Sequence, residues 1–89
     1  MAKIKRIILD VLKPQQPSIL DFARFIAELD GIDDVNISLI EMDRNVESVK
    51  ITIDGSDINY EEVERVVNEN GATIHSVDDV FCSNKPTDS

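Results

Sequence analysis

The stretch Val35–Asp54, VNISLIEMD-RN-VESVKITID, decides the fold. In its first half Val35, Ile37 and Leu39 alternate with Asn36 and Ser38; in its second, Val49, Ile51 and Ile53 alternate with Lys50, Thr52 and Asp54. A period of two marks strands with one buried face. Arg44-Asn45 between them reads as a tight turn, so the stretch is a hairpin of strands Val35–Asp43 and Val46–Asp54, ended by Gly55-Ser56-Asp57.

Outside the hairpin the period changes. Upstream, Phe22, Phe25, Ile26 and Leu29 recur at spacings of three and four, the stripe of an amphipathic helix. Ser18 is placed as its N-cap, with Asp21 three residues on, and Gly31 stands at its C-terminal end. Downstream, Tyr60, Val63, Val66 and Val67 form a second stripe. Asn59 is the cap, Glu61 and Glu62 suit the positive end of the helix, and Gly71 stops it. Residues 4–12 are rich in β-branched side chains and read as a strand, broken by Lys13-Pro14-Gln15-Gln16-Pro17. Residues 72–81 read as the last strand.

The order is βαββαβ, an α+β ferredoxin-like sandwich. Right-handed crossovers predict an antiparallel sheet of order 4-1-3-2 with both helices on one face and the other face open. One domain is expected over residues 1–82, with a flexible C-terminal tail over 83–89.

Composition narrows the function. The chain has 89 residues with 18 acids against 9 bases, a net charge of -9 that disfavours nucleic acid and anionic membranes as partners. The bases Lys3, Lys5, Arg6 and Lys13 fall early, but no arginine-rich stripe follows. The apolar run Ile7–Leu9 stops at Asp10, too short for a signal peptide or a membrane span. Cys82 stands alone, so a reducing cytoplasm is the expected compartment. No phosphate-loop, dinucleotide or nucleophile-elbow motif is present. The central strands carry no aromatic residue of the kind an RNA-recognition sheet uses.

Parity assigns the faces. Ile7, Leu9 and Val11 point to the helices, whereas Arg6, Ile8, Asp10 and Leu12 point to the open face. Asn36, Ser38, Ile40 and Met42 join them, as do Lys50 and Thr52. If Ile74 points inward, His75 and Val77 point outward. An open face holding Ile8, Leu12, Ile40, Met42 and Val77 is apolar enough to imply self-association.

Two candidate polar sites follow. Asp10, Lys50 and His75 meet on the open face, on three neighbouring strands, with Lys13 at the same end, as an interface or ligand site. Glu41, Asp43 and Glu47 crowd the hairpin on the helix side, where their oxygens suit calcium or another divalent cation. Asp10 with His75 is also an acid–base pair, so an enzyme with a subunit-interface active site is the alternative.

The pieces Leu9-Asp10-Val11-Leu12-Lys13-Pro14, Val35-Asn36-Ile37, Glu41-Met42-Asp43-Arg44 with Glu47, Val49-Lys50-Ile51-Thr52-Ile53 and Ile74-His75-Ser76-Val77-Asp78 resemble the archaeal family called domain of unknown function 211. The resemblance spans residues 4–81. It implies a ferredoxin-like cytoplasmic protein, homo-oligomeric rings or larger assemblies, a capacity for divalent cations, calcium in particular, and no established activity. Gln15 stands where that family often has a histidine. The expectation is a self-assembling binding or regulatory module, with a small ligand or cation as a further partner.

Overall fold

The structure, a computed structural model, describes residues 1–86. Its elements are β1 (Lys3–Pro14), α1 (Ile19–Ala27), β2 (Ile32–Asp43), β3 (Val46–Gly55), α2 (Tyr60–Glu69) and β4 (Thr73–Ser83). The sheet order is β2-β3-β1-β4, which is 4-1-3-2 seen from the other edge. Each neighbouring pair is antiparallel. Both helices lie on one face, as the crossover rule requires. Of the expected tail, Ser83 closes β4, Asn84–Pro86 follow it, and residues 87–89 lie outside the described residues.

The caps form where the sequence places them. Ser18 Oγ accepts from the Asp21 amide at 3.3 Å, and Asn59 Oδ1 accepts from the Glu62 amide at 3.2 Å. Each satisfies one of the four amides a helix start leaves unpaired. Gly71, at φ 82°, follows the C-cap Asn70 of α2 in the left-handed conformation that glycine adopts without penalty. The hairpin loop carries the left-handed residue at its first position, Arg44 at φ 54°.

Three helix-side rows cross the sheet: Leu39–Val49–Val11–Ile74, Ile37–Ile51–Leu9–Val77 and Val35–Ile53–Ile7–Val80. Their central members, with Phe22, Ile26, Val63 and Val67, are fully buried and form the core. The strands run to 12 residues, about 40 Å at their usual rise. A helix of 9 or 10 residues spans only about 15 Å. The molecule is accordingly elongated, 44 × 22 × 18 Å, and the helices cover only part of their face. Outlying apolar residues of the same face stay exposed, among them Met42 and Val80.

Below the helices the backbone closes on itself at two glycines. A Cβ on Gly55 would lie 2.1 Å from the Gly31 carbonyl oxygen. That oxygen accepts from the Ser56 amide at 3.0 Å, so the contact also anchors the start of the β3–α2 loop.

Bulges alter the expected parity. On β2 the register shifts between Leu39 and Glu41, leaving Ile40 as the extra residue. One added residue turns every later side chain to the other face. Glu41 therefore pairs with Ser48 and Asp43 with Val46, on the open side, while Met42 pairs with Glu47 on the helix side. This corrects the faces read for Met42, Glu41 and Asp43. On β4 the shifts leave His75 and Asp78 as extra residues. Val77 consequently sits opposite Leu9 in a helix-side row, not on the open face.

Candidate functional site

Lys13 continues the parity of Ile7, Leu9 and Val11, so its side chain turns under the helices. The residue is only 1% exposed, although read from sequence as an interface or ligand residue. Its Nζ donates to Glu47 Oε1 at 2.9 Å and to the Pro14 carbonyl at 2.8 Å, and lies 6.0 Å from the centre of the Phe22 ring. A buried ammonium needs this set of partners, because the interior offers it no water. The pair ties the end of β1 to the start of β3 beneath α1. Pro14 ends β1 without breaking a ladder on both sides: it pairs with Val46, whereas β4 begins opposite Leu12.

The acidic trio is thus divided. Glu47 is on the helix side, engaged by Lys13, while Glu41 and Asp43 are on the open side. The three do not converge on one point, and no group of three or more His, Cys, Asp or Glu placed to hold a metal ion occurs among the described residues.

Glu41 and Asp43 instead rim a shallow, open pocket of about 490 Å³ at the hairpin end. Leu12, Val46 and Ser48 contribute to its walls, with Arg44 and Asn45 at the turn. The pocket joins an apolar floor to two carboxylates and one guanidinium. Sequence reading missed Val46 and Ser48 as lining residues. Their signal was the pairing with Asp43 and Glu41, hidden until the bulge is known.

The open face is ordered in rows. Ser38, Lys50, Asp10 and Ser76 form one polar row across all four strands. Asp10 and Lys50 are directly opposite, as expected. Ser76 takes the place expected for His75, which bulges beside it and is exposed. Ser76 Oγ donates to Asp78 Oδ1 at 2.7 Å. Elsewhere on this face Arg6 Nε donates to Asp54 Oδ1 at 2.6 Å, a hydrogen bond that raises the Arg6 pKa. Asp10 and Lys50 thus present opposite charges side by side to whatever covers the face.

Helix α2 carries its own charge pattern on the far side. Arg65 bridges Glu62 and Glu69, each at 2.9 Å. The hydrogen bond to Arg65 lowers the Glu62 pKa. Partial burial, with Glu64 and Glu61 nearby, raises that of Tyr60. No helix among the described residues is long and apolar enough to cross a membrane.

Comparison with known proteins adds two matches. The family described as Uncharacterized ArCR, domain of unknown function 211, matches over residues 5–89. The uncharacterized protein MJ0319 of Methanocaldococcus jannaschii is 42% identical over 85 residues, covering 96% of this chain and 88% of that protein.

Proposed function

The chain belongs to the archaeal family of uncharacterised proteins termed domain of unknown function 211, and on that premise we propose that it is a self-assembling module that binds a small polar ligand or cation at its hairpin end. One observation carries this: the sheet keeps large apolar side chains in water. Leu12, Val46, Ile40 and Phe81 are 42%, 45%, 62% and 56% exposed. Leu12 and Val46 adjoin in the hairpin pocket, and Phe81 sits opposite Arg6. Exposed large apolar side chains set among polar groups favour a contact surface, and covering them stabilises an assembly by about 25 cal/mol per Å² buried. The row Ser38–Lys50–Asp10–Ser76 supplies polar groups that fix the register of such a contact.

A divalent cation at Glu41 and Asp43 would need further oxygens from water or a second copy. The exposed thiol of Cys82 suits a reducing cytoplasm. Native mass spectrometry of the untagged protein, before and after EDTA, tests the reading. A defined oligomer is expected. An oligomer that sheds divalent ions or dissociates with EDTA assigns the cation a structural part. A metal-free 10.0 kDa monomer overturns both the assembly and the cation.

A further inference from the structure

We propose that the hairpin pocket binds a free α-amino acid with an apolar side chain. The proposal rests on the reading of that pocket as a small-ligand site and names the chemistry it takes. At about 490 Å³ the pocket has the size of a small-molecule site, commonly about 300–1,000 Å³.

Its polar groups are not used inside the chain. Among the described residues, no hydrogen bond or ion pair engages the side chains of Glu41, Asp43, Arg44, Asn45 or Ser48. The other arginines are engaged: Arg6 by Asp54, Arg24 by Asp21, and Arg65 by Glu62 and Glu69. Arg44 meets no carboxylate, although two line the same pocket. Its backbone is also fixed in place. Arg44 stands at φ 54°, a conformation that Asn, Asp or Gly adopts far more readily than a long side chain. Gln15 Nε2 donates to the Arg44 carbonyl at 3.1 Å and braces the turn from the loop after β1.

The walls of the pocket differ by direction. Glu41 and Asp43 stand two residues apart on the open side of the edge strand β2, with Cα atoms about 7 Å apart at the usual rise. Arg44 and Asn45 close the turn end, and Leu12 lies inward on β1 beside Val46 of β3. An ammonium has three donors, and bridging two carboxylates at about 2.8 Å each fits that spacing. A calcium ion gathers about six to eight oxygens around one point, and a guanidinium in the same pocket opposes it. That guanidinium suits a carboxylate, which it holds through two parallel N–H bonds. The apolar floor of Leu12 and Val46 takes an aliphatic side chain. An α-amino acid carries these three groups on one carbon, in diverging directions, as the pocket sets out their partners.

Isothermal titration calorimetry of the unmodified protein with L-leucine, L-leucinamide, 4-methylpentanoate and glycine tests this. Leucine is expected to bind saturably. The other three lack the carboxylate, the ammonium and the side chain in turn, and each should bind about tenfold more weakly. Arg44→Asn, which the left-handed turn accepts, should lose the preference for leucine over leucinamide and leave leucinamide binding unchanged. Glu41→Gln/Asp43→Asn should likewise lose the preference for leucine over 4-methylpentanoate. Leucine that does not bind, or that binds Arg44→Asn equally well, overturns the amino-acid assignment. If calcium chloride then binds, and Glu41→Gln/Asp43→Asn abolishes its binding, the hairpin site stands as a cation site. Absence of binding by both leucine and calcium removes the hairpin site as well.

Discussion

Replacing Glu47 by Gln should damage this protein more than replacing its partner Lys13 by Met. The Lys13 side chain is 0% exposed and that of Glu47 is 13% exposed. Glu47→Gln keeps the shape and an oxygen that can accept from Nζ, but it removes the counter-charge and leaves a buried ammonium among neutral partners, the amide, the Pro14 carbonyl and the Phe22 ring. At 6.0 Å the ring stands at the limit of a cation–π contact and offsets about 1 kcal/mol at most. Removing one member of a buried pair costs about 3–5 kcal/mol, and Glu47→Gln belongs near the lower end. Lys13→Met keeps the apolar stem and leaves a carboxylate that reaches water, for about 1–2 kcal/mol. The double variant Lys13→Met/Glu47→Leu removes both charges and should return to within about 1 kcal/mol of the starting protein, because a packed apolar pair replaces a buried ion pair with little loss. Urea unfolding of the four proteins measures the cycle, provided the m-value stays constant. A loss of about 3 kcal/mol corresponds to roughly 12–24 °C in Tm for a domain this small. The reasoning is refuted if Glu47→Gln costs less than Lys13→Met, or if the double variant loses the sum of the two single losses.

Gly55→Ala should destabilise by about 2–3 kcal/mol or prevent folding, because its Cβ would meet the backbone oxygen of Gly31, which no rotamer change can move. Urea unfolding reads this, and a loss under about 0.5 kcal/mol would show that the β2–β3 end opens freely. Tyr60 is the single tyrosine, so absorbance at the phenolate band titrates it alone, with a midpoint expected above 10.0. Its folded pKa is raised, so its contribution to stability is complete below the unfolded value and is lost as pH rises through the folded one. A midpoint at or below 10.0 would refute the partial burial assigned to its ring.

Much of the fold was legible because it rests on local chemistry. The stripes Phe22–Ile26 and Val63–Val67 have helical spacing, and Ser18 and Asn59 are residues whose short side chains reach an amide two or three positions on. The alternations around Arg44-Asn45 carry strand spacing, and the crossover rule then leaves one sheet order. The opposition of Asp10 and Lys50 followed from that order and from parity alone. The burial of Lys13 was present in the same parity, since 13 continues 7, 9 and 11. A charged residue at the end of an apolar run looks solvated until its partner, Glu47, is known to lie directly across the ladder.

By itself the sequence determined the element order, the N-caps, most of the core and the acidic excess, because each depends on periodicity, side-chain type or charge within a short segment. Only the tertiary structure decided which carboxylates share a face. Ile40, His75 and Asp78 are bulge residues. Nothing in their own chemistry announces an extra residue, because a bulge is set by how one strand fits its neighbour's twist and length. Each inverts the parity beyond it. Those inversions carry Glu41 and Asp43 away from Glu47, put Ser76 in the place of His75 beside Asp10, and turn Val77 to the helix side.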